Sequence, residues 1–118
     1  MVLRGESFTV ELAETTEKQA LGLMFRDELR ADHGMLFLFP GEAMRSFWMK
    51  NTRIPLDIFY FDENLSLVSV SENTRPCRTQ RCPSYPSTAP ARYVLELNAG
   101  KALELGAQKG DTLSLHLD

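Results

Sequence analysis

Asp57 is the one acid inside the apolar run Leu56 to Phe61, which closes the most aromatic stretch of the chain, Gly34 to Phe61. An acid set among Leu56, Ile58, Phe59 and Tyr60 either points to solvent or is buried with a partner, because an unpaired buried carboxylate is costly. Strand alternation puts Asp57 on the side of Phe59 and Phe61, and the other side carries Leu56 and Ile58. Both sides are apolar, so a partner is expected. Arg26, Arg53 and Asn51 are the candidates. Such a group reads first as a structural ion pair and second as a catalytic acid or base, since both environments perturb a carboxylate.

Other residues could do chemistry as well. Met24, Met35, Met44 and Met49 are soft donors of the kind a copper site uses, although methionine in aromatic-rich sequence is chiefly core filler. His33 and His116 stand apart from any Ser or Cys motif of nucleophilic catalysis. Cys77 and Cys82 lie in one polar, proline-rich loop. Their spacing and the lack of a second Cys or His pair argue against zinc. A close pair in such a loop points to a disulfide and an oxidising compartment. These residues call for no metal and no cofactor.

The same loop runs from Arg75 to Pro86 with Arg75, Arg78 and Arg81 and no acid, in a chain whose net charge is −3. That asymmetry supports two readings. One is a solvated lid stapled by the cysteines. The other is an anion-binding or partner-binding edge, with Tyr85 as an aromatic contact. The candidate binding residues are therefore Arg26, Asn51, Asp57, Arg78 and Tyr85.

The elements that must position these groups are short strands. Phe8, Val10 and Leu12 alternate with polar neighbours in a first strand. Thr16 opens a helix that runs to about Phe25, with Gln19 reaching back in a capping box. Gly22, inside that helix, implies a close approach to another part of the chain. Gly34 to Phe39, Ser46 to Met49 and Leu56 to Phe61 read as three strands. Trp48 is expected in the core they build. Leu65 to Val70 forms a hairpin with the preceding strand through Asp62-Glu63-Asn64. Residues 71–90, with four of the six prolines, read as one long loop, and a loop of that length is functional or mobile. A strand over Tyr93 to Leu97, a helix over Ala99 to Leu105 stopped by Gly106, and a strand over Leu113 to Leu117 complete the chain.

The expected fold class is α+β and mainly β: a curled or barrel-like, mostly antiparallel sheet of about seven strands with two short helices. The 118 residues, 43% hydrophobic and 25% charged, read as a single domain over 1–118 with its own core. The acidic balance argues against nucleic acid, which needs a clustered positive field. No apolar run is long enough to span a bilayer, and no signal peptide opens the sequence.

Several motifs occur together. They are Gly22-Leu23-Met24 with Arg26, Gly34-Met35-Leu36-Phe37, Phe47-Trp48-Met49 with Asn51-Thr52, and Pro55-Leu56-Asp57-Ile58. The series continues through Tyr85-Pro86-Ser87, Leu95-Glu96, Ala99-Gly100 and Gly110-Asp111. It resembles the prokaryotic domain-of-unknown-function family 192 over nearly the whole chain. The family usually has a glycine in the hairpin turn where this chain has Asp62-Glu63-Asn64. The resemblance implies a compact β-rich domain, often exported or tethered behind an N-terminal signal, and supplies no catalytic residues.

The function expected is a non-enzymatic ligand- or partner-binding domain of the prokaryotic cell envelope, periplasmic or extracellular if a signal peptide has been removed. Its partner would be a small anionic ligand or an envelope protein. Its site would lie between the first helix, the Trp48 to Asp57 segment and the proline-rich loop. The alternatives are a small hydrolase or lyase using Asp57 with Arg26 and Asn51, and a structural accessory domain with no pocket. An open cleft separates these readings from the last.

Overall fold

The computed structural model describes residues 1–115. In chain order these form β1 (Val2–Leu3), β2 (Glu6–Ser7), β3 (Thr9–Ala13), α1 (Thr16–Leu21), β4 (His33–Ala43), β5 (Ser46–Trp48) and β6 (Leu56–Phe61). There follow β7 (Leu67–Thr74), β8 (Ser84–Pro86), β9 (Ala91–Asn98), α2 (Lys101–Leu105) and β10 (Leu113–Ser114). The chain is mainly β with two short helices and mostly antiparallel pairing, as its alternating pattern predicts. The strands are shorter and more numerous than expected. They lie in three sheets, none of them closed into a barrel among the described residues.

The five-stranded sheet has the order β3-β4-β9-β6-β7. Its one parallel pair is β3 with β4, and α1 is the connection that such a pair requires. The apolar run beginning at Gly34 fills β4 because both of its neighbours are strands. Gly34 is needed there: a Cβ would stand 2.6 Å from the Glu96 carbonyl oxygen and 2.6 Å from the Leu97 side chain. The sheet carries a core on each side. Leu56, Ile58 and Tyr60 join Met35, Phe37, Met49 and Val94 in one core. Phe59 and Phe61 join Leu36, Leu95, Leu97 and Leu113 in the other.

Local details differ from the sequence reading. Thr15, not Thr16, caps α1, its hydroxyl accepting the Lys18 amide at 3.1 Å. Gln19 is spent elsewhere: its side-chain amide donates to the Ala13 and Leu38 carbonyls, tying α1 to β3 and β4. The helix ends at Leu21, and Gly22 follows with a φ of +49°. The close approach inferred for Gly22 is to the Phe37 ring, 3.4 Å from where its Cβ would sit.

In the hairpin turn, Asp62 Oδ1 accepts the Asn64 and Ser66 amides, and Leu65 takes a left-handed φ of +63°. The Asp side chain thus closes a turn that glycine would otherwise make easy. The stretch 71–90 is less bare than its composition suggests. Strand β7 continues to Thr74, and β8 pairs antiparallel with β5. His116 and Leu117, assigned above to the last strand, lie outside the described residues.

Candidate functional site

Residues 44–48 explain where the concavity forms. In β5, Phe47 turns inward and meets Phe37 edge-on at 5.0 Å and Tyr60 at 6.1 Å. Alternation then forces Trp48 the other way, and it is 48% exposed. Trp48 is therefore not a core residue, contrary to the expectation drawn from its apolar surroundings. Met44 is 60% exposed. Of the four methionines weighed above, only Met35 and Met49 are buried filler.

Opposite the β5–β8 ribbon stand α1 and the turn after it. Between the two walls lies a cleft of about 620 Å³. Leu21, Gly22, Leu23 and Met24 line one wall, and Met44, Arg45 and Trp48 line the other. Phe37 and Glu96 lie at the bottom, both buried. Large apolar side chains left open around a concavity mark a place where something else packs.

Glu96 is the unexpected member. It sits in the middle of β9, opposite Met35 of β4 and Ile58 of β6. It is 4% exposed, and among the described residues no hydrogen bond or ion pair reaches its carboxyl group. Every fully enclosed side-chain oxygen in the described residues has a partner. The Glu96 oxygens are therefore the part of the side chain left open to the cleft. Burial alone pushes this carboxyl up to about 8, so at neutral pH it carries a proton. Burial is what chiefly raises the pKa of the Tyr60 hydroxyl, and an ionised Glu96 raises it further. Tyr60 donates its only proton to the Tyr85 carbonyl, so it is not available to Glu96.

Of the remaining polar side chains of the cleft, Gln19, Arg45 and Thr52 are held by backbone carbonyls, and Thr16, Ser46 and Ser84 present hydroxyls. Arg45 donates to the Ala91 carbonyl at 3.0 Å and the Gly41 carbonyl at 2.6 Å, and its guanidinium stacks 3.9 Å over Phe39. Burial lowers its pKa. Thr52 turns its hydroxyl to the Lys50 carbonyl.

The residues singled out from the sequence fall elsewhere. Asp57 is fully buried and partnered, but by backbone: Asn73 donates to Oδ1 at 2.8 Å, and Gly100 and Ala102 donate to Oδ2 at 3.1 and 2.9 Å. It anchors the start of α2 to β6 and β7. Arg26 pairs with Glu11, whose pKa the hydrogen bond holds below its ordinary range. Arg53 pairs with Asp27 at 2.9 Å. Asn51 acts through its backbone, its carbonyl accepting the Phe25 amide and its amide donating to the Cys77 carbonyl. Arg78 is exposed on the loop, and Tyr85 pairs with Phe47 in the β5–β8 ribbon. None of Arg26, Asn51, Asp57, Arg78 and Tyr85 lines the cleft.

Cys77 and Cys82 form a disulfide, with α-carbons 5.8 Å apart. No cluster of His, Cys, Asp and Glu suited to a metal occurs among the described residues. No helix among them is long and apolar enough to cross a membrane.

Sequence reasoning missed Glu96 because Leu95-Glu96-Leu97 resembles any half-buried edge strand. The signal was available: an acid between Val94, Leu95 and Leu97, in a strand with β-neighbours on both sides, has no solvent face to turn to.

Comparison with known proteins agrees with this architecture. A crystal structure from Novosphingobium aromaticivorans, of a protein of unknown function, is 40% identical with a TM-score of 0.85, covering 92% of this chain and 75% of that one. A second, from Sinorhizobium meliloti and labelled a candidate transcription regulator, is 39% identical with a TM-score of 0.84, covering 91% of this chain and 81% of that one. No curated protein matches. A family model described as an uncharacterised ACR matches residues 2–115. The chain belongs to domain-of-unknown-function family 192.

Proposed function

We propose that the chain is a ligand-binding domain whose site is the cleft between α1 and the β5–β8 ribbon. One observation carries this reading: Leu21, Met44 and Trp48 stay exposed around a concavity of about 620 Å³ whose bottom holds a buried acid without a partner. Free energy is lost by leaving this apolar surface wet and this carboxyl dry, and a ligand that covers one and bonds the other recovers both. A volume of this size suits a small organic molecule.

The rival readings fit less well. The hydrolase or lyase alternative needs Asp57, Arg26 and Asn51 in one cleft, but Asp57 has its oxygens filled by amides and Arg26 is paired on the surface. A purely structural domain needs no such concavity. The Cys77–Cys82 disulfide supports an oxidising compartment, hence the envelope location.

The test is an amide chemical-shift screen of the whole chain against a small fragment library. Binders are expected to shift Gly22, Leu23, Trp48 and Glu96 together, and Trp48→Ala is expected to weaken them roughly tenfold, as loss of an aromatic wall does. Binders scattered over the surface, or none, would overturn the reading.

A further inference from the structure

Resting on that reading, we infer that the cleft selects amphipathic cations: its ligand presents an N–H-bearing cationic head to Glu96 and lays an apolar body against Phe37, Phe39 and Trp48.

The inference comes from counting donors and acceptors. Both protons of the Gln19 side-chain amide go to the Ala13 and Leu38 carbonyls, which leaves its carbonyl oxygen as an acceptor. The Thr52 hydroxyl points at Lys50, and Arg45 is held by the Gly41 and Ala91 carbonyls. Glu96, once ionised, offers two acceptor oxygens and no donor. The Thr16, Ser46 and Ser84 hydroxyls can donate or accept, but among the described residues no cation is held against Glu96, and a head with several N–H groups supplies one. Ionised and neutral forms of Glu96 make opposite demands here. The aromatic surroundings favour the ionised one with a cation on it, because ring faces attract cations and a water-poor cleft strengthens the pair.

The charged groups facing Glu96 do not reverse this. From β4 it meets Met35 and Phe37, and from β6 Ile58 and Tyr60. The lining residues from α1 and the turn after it carry no charge. Arg45 is the one other charged side chain lining the cleft among the described residues. Its guanidinium is stacked on Phe39 and bonded to carbonyls. The anionic ligand expected from the arginine loop would have its own place there, outside the cleft.

Since the empty protein holds a proton on Glu96 up to about pH 8, a cation displaces that proton to solvent on binding. Affinity for a permanently charged head therefore rises with pH, by up to roughly tenfold per unit, until Glu96 is ionised without help.

The experiment uses the single Trp of the chain as reporter. Trp48 fluorescence of the intact protein is followed while phenethylguanidinium, phenethyl alcohol or 3-phenylpropionate is added, at pH 6 and at pH 8.5. The guanidinium is expected to bind at least tenfold tighter than the alcohol at pH 8.5, and less so at pH 6. In Glu96→Gln the advantage of the guanidinium over the alcohol is expected to disappear. A preference for the propionate, or a guanidinium-to-alcohol ratio that is the same at both pH values, overturns the inference. That ratio is read on the wild-type protein, so it decides even if the variant misfolds. If all three probes bind alike, the cleft remains a ligand site and only the ligand class fails. If none binds while other fragments do, the class again fails alone. If no molecule binds at all, the reading beneath it fails too.

Discussion

Two acids sit in neighbouring strands of one sheet, both removed from water, and they have opposite fates. Asp57 of β6 faces the core that holds Phe59 and Leu97, and three backbone amides surround it. Glu96 of β9 faces the other core, beside Met35 and Ile58, and no protein group bonds it among the described residues. The first is a part of the fold: its oxygens fix the start of α2 and the end of β7. The second costs stability and ties no element of the fold to another. A buried charge is therefore informative only together with the inventory of what donates to it.

The largest expected effect comes from breaking the satisfied acid. Asp57→Asn keeps the shape but sets an amide against amides, so the three donors lose much of their acceptor. A loss of roughly 3 kcal/mol is expected in chemical denaturation. A loss below about 1 kcal/mol would remove the contrast on which the comparison stands.

The unsatisfied acid should behave the opposite way. Its carboxyl is raised from an ordinary value of 4.5 to about 8 by burial, so between those values the folded protein holds a proton that the unfolded chain has lost. Stability is thus fully present below about pH 4.5 and falls as pH rises through about 8, with a slope approaching 1.4 kcal/mol per unit. Glu96→Gln should flatten this decline and, at pH 9, be more stable than the parent by on the order of 1–3 kcal/mol. Thermal midpoints of the two proteins from pH 5 to pH 9 give the answer. Parallel curves would mean that Glu96 is solvated after all.

The smallest effect sharpens the difference between the two sides of β5. Trp48→Ala should cost less than about 1 kcal/mol, because its ring is half exposed and leaves no sealed cavity. Phe47→Ala, one residue earlier, should cost about 3–5 kcal/mol, since Phe47 packs on Phe37 and Tyr60. Equal losses at the two positions would contradict the alternation that opens the cleft.

Much of this was legible before any coordinates. Period-two alternation located β3 and β9, and the short apolar runs of β4 and β6 announced buried strands. Asp57 was recognised as a partnered acid from its neighbours alone. Its partners were not: arginines were expected, and backbone amides from β7 and α2 took their place, because amides carry no sequence signature. Strand β8 was illegible for a similar reason, since Ser84-Tyr85-Pro86 becomes a strand only when β5 lies beside it.

The sequence by itself determined that the chain would be a strand-rich domain with a dense aromatic core, a paired loop disulfide and one acid needing partners. Those properties follow from residue type and spacing, which act over a few residues. Only the tertiary structure decided which aromatic residues line a cleft and which acid lacks a partner. Periodicity states that neighbours in a strand face opposite ways, but not which way has a lid over it. Trp48 is exposed because Phe47 won the inward position, and Glu96 is unpaired because Met35 and Ile58 are what the sheet order placed beside it.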